Sequence, residues 1–102
     1  MATKERSANN SAAMPADRAS ALRDRLSRIE GHVRAIKRMV QEDRTYEELL
    51  TQVAGARAAL QQVALKLLEC DAEDCVGQAV AAGEGTLPLS RHKKNLALVL
   101  RS

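Results

Sequence analysis

Thr45–Val80, TYEELLTQVAGARAALQQVALKLLECDAEDCVGQAV, is the stretch whose reading decides the fold. Its apolar residues Leu49, Val53, Ala56, Leu60, Val63 and Leu67 alternate at spacings of four and three. A regular helix turns that spacing into one lengthwise stripe, the seam by which a helix packs along other helices. Thr45 followed by Glu48 is a capping-box pair, with Asp43 as an alternative cap two residues earlier. Gly83 and Gly85 supply the stop. The next beat of the seam falls on Cys70, and Asp71, Asp74 and Cys75 follow within a turn or so. Packing surface and candidate ligand chemistry therefore share one element.

The same rhythm recurs upstream in Leu22, Leu26, Ile29, Val33, Ile36 and Val40, after a helix start marked by Pro15 and Asp17. Gly31 interrupts this first helix at an outward position. Gln41 to Arg44 is too short to let two long helices do anything but double back. Downstream, Thr86 to Ser90, containing Pro88, reads as a turn. Arg91 to Arg101 reads as a short third helix with Leu96, Val99 and Leu100 as its buried side. Residues 1–14 are small and polar without period and read as a disordered tail, leaving 15–102 as a single helical domain. The expected class is all-α: three helices, with a long antiparallel hairpin that dimerises into a four-helix bundle.

Composition supports this. The chain has 102 residues, no Trp or Phe, and Tyr46 as its one aromatic. A domain so small and so poor in bulky side chains buries little apolar area alone, so association between chains is expected. No apolar run approaches the length of a membrane span and no signal-peptide core is present, which points to a cytoplasmic protein without membrane partners. In that compartment Cys70 and Cys75 are expected as thiols. A regular helix would also hold them about 8 Å and ~140° apart, too far to bridge within the chain. No nucleophile–base pair or phosphate loop is visible, which argues against an enzyme.

Charge is distributed unevenly around a net +3. Ala16 to Val40 holds seven basic residues against three acids. Glu69 to Glu84 holds five acids and no base, and Thr86 to Ser102 holds bases only. Arg25, Arg28 and His32 line one flank of the first seam, while Arg23, Arg34, Lys37 and Arg38 line the other side and the back. Such a run is either a solvated face or, given so few acids at pairing distance, a surface for phosphates. Arg57, among alanines, either reaches past them to solvent or projects toward phosphate or a neighbouring subunit's carboxylate. Lys93 and Lys94 extend the basic character to the C-terminus. Aromatic interleaving and a helix–turn–helix pattern are both lacking, so double-stranded DNA would be met in some other way.

Around the cysteines, Cys70 and Asp74 stack at i,i+4, as do Asp71 and Cys75. Each pair offers two ligands, whereas a closed transition-metal site needs three or four. Cys70, on the seam, reads as a small core residue. Cys75, off the seam, reads as the better reactive or ligating thiol.

The run Leu26-Ser27-Arg28-Ile29-Glu30-Gly31-His32-Val33-Arg34-Ala35-Ile36 resembles the first-helix signature of the CsoR/RcnR family of small helical bacterial repressors. Thr51-Gln52-Val53-Ala54-Gly55-Ala56-Arg57-Ala58-Ala59-Leu60 is similar to the matching second-helix stretch. The resemblance implies a homodimer of hairpins, usually paired into a homotetramer as a dimer of dimers. It implies a repressor that releases operator DNA when a small effector, a metal ion or a thiol-reactive species, binds at the dimer interface. Arg28, Arg34 and Arg57 would belong to its DNA surface. In the family's copper sensors a Cys early in helix two is joined by a His and a Cys from the end of the other protomer's helix two. Those positions are Tyr46, Asp71 and Cys75 here, so the resemblance implies an atypical effector site with Cys70 as an additional thiol. Two other readings stand beside it: a metal-free thiol stress sensor, and a purely structural or protein-interaction bundle.

Overall fold

The computed structural model describes residues 14–83 and 89–101. The expected tail, apart from Met14, and most of the expected Thr86 to Ser90 turn lie outside the described residues. The chain forms α1 (Ala16–Gln41), α2 (Tyr46–Ala82) and α3 (Leu89–Arg101), with no strand among the described residues.

Local chemistry sets the ends of each helix. Pro15 precedes α1, and its carbonyl accepts from the Ala19 N–H at 3.0 Å. At α2 the capping box is complete: the Glu48 N–H donates to Thr45 Oγ1 at 3.1 Å, and the Thr45 N–H donates to Glu48 Oε1 at 3.0 Å. Asp43 is not the cap. It adopts φ 61° and turns the chain between the helices, in the left-handed region that short polar side chains tolerate. Gly83 closes α2 at φ 70°, its N–H donating to the carbonyls of Ala79 and Val80.

α1 and α2 pack as an antiparallel hairpin, and α3 packs on the C-terminal part of α2. Each seam divides in two. Leu22 and Ile29 on α1 and Ala56 and Val63 on α2 are buried in the hairpin. Their alternates along the same seams, Leu26, Val33 and Val40 on α1 and Val53, Leu60 and Leu67 on α2, stay 42–63% exposed. One hairpin thus uses one row of each seam and leaves the other open.

The molecule is correspondingly long and thin. Its radius of gyration is 18.0 Å, against about 13 Å for a compact chain of this length. The long axis of 60 Å is little more than the ~55 Å of α2 itself.

The third helix differs from expectation. Of the three residues expected on its buried side, Leu96 is 39% exposed and Leu100 75% exposed, and only Val99 is half-buried. Arg91, His92 and Asn95 instead turn toward α2, because Asp71 and Asp74 wait there with carboxylates to satisfy. Polar complementarity, rather than leucine burial, orients α3.

Candidate functional site

Polar contacts between helices concentrate where α3 meets the end of α2. His92 Nδ1 donates to Asp71 Oδ2 at 2.7 Å, and Asn95 Nδ2 donates to the same oxygen at 3.1 Å. One guanidinium nitrogen, Arg91 Nη2, lies 3.3 Å from Asp71 Oδ1, 3.3 Å from Asp74 Oδ2 and 3.3 Å from Cys75 Sγ. Asp74 also accepts from Gln78 Nε2 at 3.3 Å, one turn along α2. Burial pushes the Asp71 carboxyl up. Hydrogen bonds from His92 and Asn95 and the charge of Arg91 outweigh that and hold it below the usual carboxylate range.

Beneath this cluster Cys75 is only 1% exposed, whereas Cys70 is half-buried. The expected burial is therefore reversed: the seam thiol is the more accessible one, and the off-seam thiol is buried beside α3. Cys70 accepts from Arg18 Nη1 at 3.4 Å, and Arg18 is fixed by a bidentate pair with Glu73. That pair and its hydrogen bonds raise the Arg18 pKa further above its already high value.

The structure brings Asp71 and Cys75 together with residues that the sequence did not single out as ligands: Arg91, His92 and Asn95. A signal was present in the row Arg91, His92, Asn95, three polar groups on adjoining faces of a short helix that follows an acidic segment. Nothing in chain spacing says which acids they meet.

Tyr46 is not brought to them. It is 85% exposed at the opposite end of α2, about 43 Å from Cys75 along the axis. Yet Tyr46, Asp71 and Cys75 fall within ~40° of one another around the helix, close to the open row of Val53 and Leu60. A second α2 laid antiparallel on that row is what would carry a tyrosine to the cluster.

As a metal centre the residues do not fit. Among the described residues no group of three or more His, Cys, Asp or Glu is arranged to hold a metal ion. The phenol and carboxylates are hard donors that suit Cu(I) poorly, and the gap between Asp71, Asp74 and Cys75 is filled by a guanidinium.

The basic residues sort by face. Arg25 and Arg28 share a groove between α1 and α2 with His32 and Gln62, and His32 Nε2 donates across the hairpin to Gln52 Oε1 at 2.8 Å. Arg34 lies on the other side of α1, roughly 120° from Arg28. Arg57 is exposed on the open face of α2, and Lys93 and Lys94 are exposed on α3. Among the described residues, the cations with ion-pair contacts are Arg18, Arg44 and Arg91, and His92 lies at hydrogen-bond distance from Asp71. Among the described residues, Arg25, Arg28, Arg34 and Arg57 form no ion pair with a carboxylate. No helix among the described residues is long and apolar enough to cross a membrane.

Comparison with known proteins agrees with this arrangement. Residues 18–101 match the family described as metal-sensitive transcriptional repressor. The copper-sensing transcriptional repressor CsoR of Bacillus subtilis is 45% identical over 67 residues, 66% of this chain and 66% of that one. The copper-sensing transcriptional repressor RicR of Mycobacterium tuberculosis is 48% identical over 59 residues, 58% of this chain and 62% of that one. The chain thus spans just under two thirds of the length of either relative. The solved structure of the nickel-responsive transcriptional regulator InrS superposes with a TM-score of 0.64 at 40% identity, covering 80% of this chain and 88% of that one. Three helices in this order, with the first-helix and second-helix signatures in register, make the chain a member of the metal-sensitive transcriptional repressor family.

Proposed function

We propose that the chain is a cytoplasmic transcriptional repressor that binds double-stranded operator DNA as a homodimer or homotetramer and releases it when a small effector acts at the end of α2. The observation that carries this is the set of arginines, Arg25, Arg28, Arg34 and Arg57, that form no ion pair among the described residues, on a hairpin of this family. Arg25 and Arg28, side by side in one groove, neutralise adjacent phosphates, and guanidinium groups suit that by bidentate contact. Lys93 and Lys94 add charge from α3. Arg34 and Arg57 point from other faces and join the same duplex only within an assembly of hairpins.

The effector acts where α3 is held by Asp71. Loss of those contacts frees one helix relative to another without disturbing the hairpin core, and so changes how basic faces are spaced. No step through a metal ion follows from the residues present.

Replacing Arg28 with Ala tests the DNA surface. Binding to a fragment from upstream of the protein's own gene is expected to weaken. The slope of log K against log salt should fall by about one, the share of a single phosphate contact. A slope equal to wild type removes Arg28 from the surface, and failure of the wild type to shift any DNA leaves a structural bundle instead.

A further inference from the structure

The groove between α1 and α2 that holds Arg25 and Arg28 contains one more group, whose use the hairpin alone does not explain. His32 follows Arg28 by about one turn, so Arg25, Arg28 and His32 share one face over roughly 10 Å of α1. Its ring lies against the backbone of α2: a Cβ built at Gly55 would stand 3.4 Å from His32 Cε1. Nε2 donates to Gln52 Oε1 at 2.8 Å. An amide oxygen only accepts, so this bond fixes a proton on Nε2 and leaves Nδ1 of the neutral ring as an acceptor. Among the described residues no donor meets it. From α1 the charges in the groove are Arg25 and Arg28; from α2 Gln52, Gly55, Ala59 and Gln62 face it, none of them charged. An acceptor lone pair beside two guanidinium groups would repel a phosphate oxygen. With a second proton the same ring donates from both nitrogens and becomes the third cation of the row.

We propose that His32 is a third phosphate-binding group of this surface and that it engages by taking up a proton. A phosphate oxygen over the groove accepts from Nδ1–H, while Nε2 keeps its bond to Gln52. The proton comes from solvent, imidazole becomes imidazolium, and the proton returns to solvent when the duplex leaves. Three adjacent cations are favoured when phosphates lie over them, so binding of DNA and uptake of the proton reinforce each other. Histidine is the side chain that changes charge between about pH 5 and 8, whereas guanidinium groups and phosphodiesters hold theirs. Affinity for DNA therefore rises as pH falls toward about 6, through a group that neither arginine can imitate. The inference rests on the DNA-binding reading above and adds a residue and a condition to it.

The test is fluorescence anisotropy of the full chain with a labelled duplex from upstream of its own gene, at pH 6 and pH 8, over a salt series. Wild type is expected to bind about tenfold more tightly at pH 6, the worth of one charge-assisted hydrogen bond. Its salt slope should be steeper there by up to about one. His32→Gln, which takes up no proton, is expected to bind alike at both pH values, near the wild-type affinity at pH 8. His32→Arg, a cation throughout, is expected to be level with pH but to keep the steeper salt slope. Circular dichroism follows helix content in each. Calorimetry at pH 7 in two buffers of different ionisation enthalpy counts protons in wild type without any variant, and net uptake on binding is expected. Absence of uptake overturns the proposal, as does a folded His32→Gln that keeps the full pH dependence. Wild type that binds the duplex with a level pH profile ends this inference alone. Wild type that binds no duplex at either pH ends the DNA-binding reading as well.

Discussion

At Asp71 burial and hydrogen bonding pull in opposite directions, and the bonds win. The side chain is 16% exposed and accepts from His92 and Asn95 beside the charge of Arg91. Its folded pKa therefore lies below the unfolded one. A carboxyl depressed in this way adds stability at every pH above its unfolded value, about 3.9, and loses it as pH falls through the folded value. Urea midpoints of wild type are expected to be level from neutrality down to about pH 5, as far as this group is concerned, and to drop below about pH 4. Asp71→Asn is expected to cost about 1–2 kcal/mol at pH 7, the worth of hydrogen bonds to a charged acceptor near the surface, and to flatten the acid limb. A variant with an unchanged acid limb would show that other carboxyls govern it. Cys75 illustrates the same local logic by contrast: with the cluster above it, a thiol that chain position alone places off the seam becomes the most enclosed of the described residues.

Among the elements, α1 and α2 follow their own sequences closely. The capping box at Thr45 and Glu48, the stop at Gly83 and the outward placement of Gly31 can all be read from residue type and spacing, because each depends on neighbours within a turn. Gly31 gives a direct check. A Cβ built there meets nothing within 4 Å and its φ is not positive, so Gly31→Ala is expected to stabilise the protein by about 1 kcal/mol through helix propensity. Thermal unfolding should shift upward, and a downward shift would mean that another surface packs against that position.

α3 was less legible. Its leucine spacing pointed to an apolar inner side, whereas the acids on α2 chose the polar one, and no local pattern reveals a partner met after an intervening turn. The same blind spot hid His92 and Asn95 from the site and exchanged the expected exposures of Cys70 and Cys75. For the arginines, chain position named the residues but not their faces, which is why Arg34 and Arg57 part company with Arg28 only in three dimensions.

For the whole molecule, the divided seams lead to the expectation that association is part of folding. Val53, Leu60 and Leu67 on α2 and Leu26, Val33 and Val40 on α1 line the open side of the hairpin, and such a row in water favours burial against its own copy. Sedimentation at micromolar concentration is expected to give a dimer or larger. Leu60→Glu, which places a charge at the middle of the open row, is expected to weaken that assembly by ~100-fold or more and to lower helix content with it. A monodisperse wild-type monomer would remove both the assembly and the shared DNA surface built on it.

Tyr46 gives the molecule one further property. With no Trp and this single Tyr in the chain, near-ultraviolet emission comes from one ring, and that ring is 85% exposed beyond the hairpin core. Loosening the inner rows leaves its surroundings nearly unchanged, while covering the outer ones changes them completely. The protein thus carries its own optical label, sensitive to company and almost blind to the integrity of the individual hairpin.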